Sequence, residues 1–372
     1  MADDGGFGTQ NYWMPDPTVG GSTGQILKGS GYVSISIISA HYRTDGNFWQ
    51  RFFGGSDQVT LSTKIVYSSG AVQTTSASIE DTRQFDVQKP SYFGLGNHQI
   101  ALKLPVDCDG IEVAVSIAAV QNDNLGAALN LLNSGELKST LELAPVPAAQ
   151  SLAIANVVKK LLTSTDPQQT LLGVYGGKVS QNPVAEPVKD ACLCIGYLIA
   201  IYRESDNDVA LDGLDSTKFT IIDNQLKYDG AVLPNSYVVL RYAFDEVRGL
   251  DRNADWFSTF SSASTTLDDL ETAANDQDRD KIFASSLVLY KQAQKLLFND
   301  PSYTIKEAQS ICADQLSKIL ARRPKPATPA SPVAEFVPTK TLPIGLEKLT
   351  FGEVSLLGET YRRTLVRNNM AI

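Results

Sequence analysis

Histidine is nearly absent from the sequence, which contains only His41 and His98 among its 372 residues. A hydrolase of the triad type needs an imidazole between its nucleophile and its acid. The sequence also lacks a Gly-x-Ser-x-Gly elbow, a GxxxxGK(S/T) phosphate loop and a GxGxxG fingerprint after a strand. We therefore interpret both histidines as structural residues at strand ends, and we expect neither an enzyme nor a bound cofactor.

Cysteine is also scarce, since only Cys108, Cys192, Cys194 and Cys312 occur. Four cysteines in a chain of this length do not form a disulfide framework. The spacing of Cys192 and Cys194 is not the CxxC of a zinc or redox site, and no second pair completes a ligand set. We expect free thiols, a reducing cytoplasmic location and no metal site.

Long hydrophobic runs and excess positive charge are missing as well. The most apolar stretch, residues 191–202, is shorter than the roughly 18–20 residues of a membrane span. The net charge of −9 disfavours binding to a phosphate backbone. We therefore expect neither a membrane partner nor direct contact with nucleic acid. The first residues also lack the basic and apolar regions of a secretory signal.

The charge is distributed unevenly along the chain. Residues 204–280 contain 17 acidic and 6 basic side chains, whereas residues 318–372 contain 9 basic and 4 acidic ones. Such blocks can be solvated faces. Alternatively, the basic tail docks on an acidic surface, either of its own chain or of a neighbour.

Alternating hydrophobic residues begin at Gly31 and are separated by turn sequences, with no helix between them. This pattern is typical of an antiparallel sandwich or barrel. The run 191–202 is apolar on both faces, as in a central strand covered on both sides. Later, Thr304-x-x-Glu307 has the spacing of a capping box and predicts the second helix of a helical pair.

The predicted fold class is α+β, mainly β, with an antiparallel β-sandwich N-terminal domain. A second β-rich domain has a C-terminal α-helical hairpin, and extended arms lie at both termini. The expected divisions are an N-terminal arm (1–30), a sandwich with a closing helix (31–165), a linker (166–190), a β-sheet and helical-pair domain (191–322), and a Pro-rich arm with a basic and apolar tail (323–372).

Two short segments recur at nearly the same offset. Ala40-His-Tyr-Arg resembles Ala200-Ile-Tyr-Arg, and residues 64–72 resemble residues 225–232. The matches indicate either two related β-domains in tandem or unrelated domains with similar local patterning.

The spacing of acidic residues in the first β-region suggests a known family. A first strand ends near Asp45, Ser56-Asp57-x-Val59 opens the next one, and Asn122-Asp-Asn-Leu-Gly126 closes a later strand. In this respect residues 31–132 resemble the calcium- and phospholipid-binding β-sandwich domain first described in protein kinase C. An equivalent loop of that family carries a DxD pair that binds calcium, whereas residues 116–121 contain no acid. The resemblance therefore implies a calcium-independent interaction module.

Clustered aromatic residues suggest contact surfaces. The segment 48–53 contains Trp49, Phe52 and Phe53, which suit a membrane-inserting tip, a protein contact or a plug beneath the sandwich. We place the expected contacts at these residues, at an anchor in the N-terminal arm and in the tail. The full set is Trp13, Trp49, Phe52, Phe53, Phe351, Leu356, Arg362 and Arg363.

These features favour a non-catalytic structural protein that assembles with copies of itself or with other proteins, as in a capsid, tail, filament or other virion component. Two alternatives remain open. One is an adaptor or regulatory protein whose sandwich binds a partner or a membrane without calcium. The other is a hydrolase whose site is dispersed over loops.

Overall fold

The computed structural model describes residues 8–16, 24–42, 57–69, 76–87, 91–93, 98–120, 169–187, 192–203, 208–323 and 351–370. The chain divides into two compact units. The first comprises Met1–Lys28 and Val33–Phe244, and the second comprises Gly29–Tyr32 and Asp245–Ile372. Antiparallel sheets and α-helices confirm the predicted α+β class.

Thirteen strands occur in the described residues. Their bounds are β1 Gly8–Pro15, β2 Tyr32–Tyr42, β3 Asp57–Ser69, β4 Ser76–Val87, β5 Ser91–Phe93, β6 His98–Pro105, β7 Cys108–Val120, β8 Gln169–Lys178, β9 Gly196–Arg203, β10 Phe219–Ile222, β11 Gln225–Tyr228, β12 Ala231–Val232 and β13 Ser236–Asp245. A six-stranded sheet has the order β1-β9-β13-β2-β5, with β6 also paired to β2. The others have the orders β4-β3-β7-β8 and β10-β11-β12.

The strand β9 is covered on both faces, which confirms its predicted central position. Ile199 and Ile201 pack into a core with Phe219, whereas Ala200 points into the other core with Val113. The strand begins at Gly196 rather than at residue 191. Residues 192 and 194 instead form single bridges with two separate segments, so the apolar run is longer than the strand.

One core contains side chains from two sheets. Val33, Ile35 and Ile37 of β2 and alternate residues of β7, including Val113 and Val115, are buried in it. The period-two pattern therefore identified the apolar residues of both strands that enter this core, but Ser34 and Ser36 on the other face of β2 are buried as well, so that strand is covered on both sides.

The observed units differ from the expected divisions. The supposed arm 1–30 contains β1, which pairs antiparallel with β9, and the supposed linker 166–190 contains β8, which pairs with β7. The strands β9 to β12 lie in the first unit, not in one domain with the helices. Local sequence patterns could not show these pairings, because Gly8 faces Arg203 from a distant part of the chain.

The topology offers no support for a tandem repeat. The matching segments of β2 and β9 lie in the same sheet. The second pair of matching segments lies in strands of different length and in different sheets. One is in β3, a long strand of the four-stranded sheet, and the other is in β11, a short strand of the three-stranded sheet. Two related domains would instead place corresponding strands at corresponding positions of separate sheets.

The second unit contains four described α-helices, α1 Asp255–Thr266, α2 Asp276–Phe298, α3 Ile305–Ala321 and α4 Phe351–Arg367. The side chain of Thr304 accepts a hydrogen bond of 3.2 Å from the backbone N–H of Glu307, which confirms the predicted helix start. The fourth helix corrects the expectation that residues 323–372 form only an arm and a tail. Together the helices bury a core that includes Tyr290, Leu316 and Leu365.

Candidate functional site

The C-terminal helix α4 packs on α3 with one face. Val354, Gly358, Tyr361 and Leu365 are buried and follow a spacing of four, three and four residues, which places them on one side of a helix. A Cβ atom at position 358 would lie 2.7 Å from the Cα of Asp314. The backbones of the two helices therefore approach so closely that glycine is required at this point.

The carboxylate of Glu307 joins three segments of this unit. Its Oε1 accepts hydrogen bonds from the backbone N–H of Gly249 (3.1 Å) and from the hydroxyl of Tyr361 (2.9 Å). Its Oε2 accepts one from the backbone N–H of Arg248 (2.9 Å). Only 4% of Glu307 is exposed, so these bonds compensate for the lost hydration of a buried carboxylate.

Three tyrosines surround this carboxylate. The hydroxyl of Tyr32 lies near the charge of Glu307 and accepts a hydrogen bond of 2.9 Å from the backbone N–H of Thr304. Tyr303 donates to the carbonyl of Gly249 at 2.8 Å. Burial, followed by the nearby charge of Glu307, raises the pKa of Tyr32 and Tyr361 far above the ordinary value. Burial also raises the pKa of Tyr303 to about 12. The raised pKa values keep all three phenols protonated even above the ordinary tyrosine pKa of 10.0, which suits a structural network of donors.

A second buried acid, Asp314, anchors α4 from the middle of α3. Its carboxylate lies 2.8 Å from Nε of Arg362 and 2.7 Å from Nζ of Lys318. The predicted contact residue Arg362 is thus engaged within its own unit. The Nε–Oδ1 contact is an ion pair without hydrogen-bond geometry, and loss of a cationic partner would leave buried charge uncompensated.

The tail also contacts the acidic block of its own unit. Arg367 of α4 pairs with Glu246. This pair supports the interpretation that the basic tail docks on an acidic surface of the same chain.

The outer face of α4 carries a different set of residues. Gly352, Leu356, Glu359, Arg363 and Val366 recur at intervals of four and three residues, and all of them are exposed. The exposed fractions of Leu356 and Val366 are 61% and 57%. Between these two apolar residues, Arg363 and Glu359 form an ion pair of 2.6 Å. We call these five residues the outer stripe.

The structure therefore separates the predicted contact residues. Leu356 and Arg363 belong to the outer stripe. Trp13 is partly buried against the core that contains β2 and β7 residues, and the centre of its ring lies 6.3 Å from the centre of the Tyr242 ring. Phe351 begins α4, but its side chain is outside the described set. Trp49, Phe52 and Phe53 also lie outside the described residues.

Sequence reasoning missed the importance of Val366, Glu307 and Asp314 for α4. The spacing of Val354, Tyr361 and Leu365 is a usable signal for an amphipathic helix, but the preceding prolines favoured an arm. Glu307 was identified only as a capping residue, because its partners at positions 249 and 361 are remote in sequence.

The cysteines and histidines, which are scarce in the sequence, lie in structural elements of the protein. All four cysteines are buried and free, as expected, and burial raises the pKa of Cys108 to about 12 and that of Cys194 to about 11. His41 is buried in β2, with its Nδ1 2.8 Å from the carbonyl oxygen of Asn235. His98 begins β6 as predicted.

The described ranges contain no cluster of three or more His, Cys, Asp or Glu residues that could hold a metal ion. Among the helices of these ranges, none is long and apolar enough to cross a membrane. The sequence matches no protein-family model and no curated protein.

Proposed function

We propose that this chain is a non-catalytic structural protein that assembles with copies of itself, as a component of a capsid, tail or filament. The observation that carries the proposal is the outer stripe of α4. A helix whose inner face is already packed needs no further apolar residues for folding, yet Leu356 and Val366 are exposed on its other face.

The outer stripe has the composition of a helix recognition surface. Single exposed apolar residues are common and need no explanation. Here two lie on the same face, about 15 Å apart along the helix, with one ion pair between them. Helices that bind protein grooves present their apolar residues along one face. A neighbouring copy would cover both residues in an assembly.

The environment of the reactive groups supports a non-catalytic role. Within the described part of the chain, the carboxylates of Glu307 and Asp314 are engaged in holding helices together. The raised pKa of the Cys108 and Cys194 thiols opposes nucleophilic chemistry at these residues, since the thiolate is the reactive form.

We further propose that the first unit is a calcium-independent interaction sandwich, related in form to the family named above. Support comes from the shared core of β2 and β7, which belong to different sheets. The four buried cysteines are thiols and not disulfides, which suits assembly in the reducing cytoplasm.

The proposal is tested by light scattering coupled to size-exclusion chromatography, over a range of concentrations. We expect the full chain to exceed its monomer mass of 40.2 kDa. The double substitution Leu356→Gln/Val366→Gln should weaken association at least about tenfold, because it removes the apolar contact. Val288→Gln is the matched control, since Val288 is 65% exposed on α2 and lies outside the outer stripe. A full chain that is monomeric at every concentration contradicts the proposal.

A further inference from the structure

The outer stripe of α4 has the residue spacing of a coiled-coil seam. Its members follow one another at intervals of four, three, four and three residues, from Gly352 to Val366. This is the spacing of the a and d positions of a heptad, which lie along one side of a helix that packs lengthwise against a second helix. The inner face of α4 is already buried in the core of its own unit through Val354, Tyr361 and Leu365. The seam on the outer face is therefore left for a second helix.

The residue types along this seam are arranged symmetrically. Leu356 and Val366 are its exposed apolar residues, and each lies five residues from position 361. Glu359 and Arg363 are its charged residues, and each lies two residues from the same position. An apolar residue is thus mirrored by an apolar one, and an acid by a base. A two-fold axis at the level of position 361 places each of these residues opposite a complementary residue of an identical helix.

Such an axis makes the second helix antiparallel to the first. Leu356 then faces Val366 of the other copy, and this contact occurs twice, at points about 15 Å apart along the helix. Between them, Glu359 faces Arg363 of the other copy. The ion pair of 2.6 Å within each chain thus joins its counterpart, and the four charges alternate in sign around the axis. The side chains of Glu359 and Arg363 are 50% and 78% exposed, so both are accessible to a second copy.

The charges also decide the orientation and the register. In a parallel pair each seam residue faces its own counterpart, so Glu359 meets Glu359 and Arg363 meets Arg363. Like charges placed opposite one another weaken an interface. An antiparallel pair shifted by one heptad places Leu356 against Glu359 and loses the apolar contact. Polar residues within a seam lower its affinity but specify one arrangement.

We propose that two copies of this chain pair through the outer stripes of their α4 helices, antiparallel and about a two-fold axis at position 361. This inference rests on the proposed self-assembly and names its partner, contact and symmetry. A two-fold contact of this kind closes on itself and forms a dimer. The dimer is then the unit from which a larger assembly is built through other surfaces.

Charge reversal tests the contact between Glu359 and Arg363. Glu359→Arg makes the charges of the stripe wholly basic and Arg363→Glu makes them wholly acidic, so each variant alone should associate at least about tenfold more weakly than the natural chain. An equimolar mixture should restore association, because an acidic stripe then faces a basic one. Neither variant retains the ion pair within its own chain, so a change in the stability of α4 does not explain the restoration. Failure of the mixture to associate overturns the proposal.

Disulfide cross-linking tests the orientation. Leu356→Cys and Val366→Cys are prepared as separate variants of the full chain, mixed in equal amounts and oxidised with oxidised glutathione. The four natural cysteines are buried. Antiparallel pairing brings position 356 of one variant beside position 366 of the other, whereas two copies of position 356 lie about 15 Å apart, beyond the roughly 7 Å that a disulfide spans between Cα atoms. Val288→Cys mixed with Leu356→Cys is the control for random collisions, since Val288 is 65% exposed on α2.

We expect the mixture to give at least about tenfold more cross-linked dimer than either variant alone or the control mixture. More dimer from one variant alone than from the mixture indicates parallel pairing and overturns the proposal. If the mixture gives no excess while sedimentation velocity finds the natural chain oligomeric, the antiparallel pair is overturned but self-assembly stands. If the natural chain is monomeric at every concentration, both proposals fail.

Discussion

The hydroxyl of Tyr361 donates a hydrogen bond of 2.9 Å to the carboxylate of Glu307. This contact links the C-terminal helix to the first turn of α3, where Glu307 also accepts two backbone N–H groups of the segment before α1. Residues far apart in sequence thus meet at one buried carboxylate. The attachment of α4 to its unit depends on that group, and the proposed assembly depends on α4.

Tyr361→Phe should destabilise the second unit by about 1.5–3 kcal/mol, because it removes a donor from a buried charged acceptor. The measurement is urea-induced unfolding followed by far-ultraviolet circular dichroism. Tyr228→Phe is the control, since the Tyr228 hydroxyl accepts an exposed hydrogen bond from the backbone N–H of Asp215. For Tyr228→Phe we expect a loss of stability below about 0.5 kcal/mol. Equal losses for the two variants would show that the Tyr361 hydroxyl does not stabilise the buried carboxylate.

Glu307→Gln should cost about 2–4 kcal/mol, although the side chain keeps its shape. The carboxylate accepts bonds from Arg248 N–H, Gly249 N–H and Tyr361, whereas an amide would direct its own N–H₂ group at one of these donors. Denaturant unfolding of the full chain measures the change. Unchanged stability would show that the charge of Glu307 is unimportant.

Two glycines of α4 provide a matched pair of alanine substitutions. Gly358→Ala should destabilise by more than about 2 kcal/mol, because the added Cβ overlaps the backbone at Asp314. Gly352→Ala meets nothing within 4 Å and should stabilise the helix by roughly 0.5–1 kcal/mol. Thermal and denaturant unfolding distinguish them. If both substitutions stabilise the protein, the close crossing of α3 and α4 is wrong.

The tyrosine network predicts a loss of stability in alkali. Tyr32, Tyr303 and Tyr361 have raised pKa values in the folded protein, so unfolding releases protons above the ordinary tyrosine pKa of 10.0. Their contribution is complete below that pH and decreases as the pH rises from there to about 12 and beyond, by about 1.4 kcal/mol per pH unit for each tyrosine. Denaturant midpoints measured from neutral to alkaline pH test this. Tyr361→Phe should reduce the slope of the free energy of unfolding against pH by the contribution of one tyrosine. An unchanged slope would contradict the raised pKa of Tyr361.

The buried cysteines should react slowly with a thiol reagent such as 5,5′-dithiobis(2-nitrobenzoic acid). All four are free and buried, and burial raises the pKa of Cys108 and Cys194 above the ordinary thiol value. We expect four equivalents to react in denaturant, but much more slowly in the native protein. Immediate reaction of several thiols under native conditions would contradict their burial.

Local signals predicted some of these elements well. The alternation at Val33–Ile37 identified the apolar side chains of β2 that enter a core, and the spacing of Thr304 and Glu307 identified the beginning of α3. Both signals lie within a few residues, where propensity and capping act directly.

The remaining features depend on contacts between remote segments. The pairing of β1 with β9 and the bond between Glu307 and Tyr361 leave no mark on local periodicity. The prolines before residue 351 also concealed the helical spacing of the tail. The sequence alone therefore led to an arm where the structure has a docked helix.

The most direct test of the central claim is the mass of the full natural chain in solution, measured by sedimentation velocity over a wide range of concentration. Self-assembly predicts a weight-average mass above the monomer value of 40.2 kDa that increases with concentration. A single species at the monomer mass throughout that range would contradict the account.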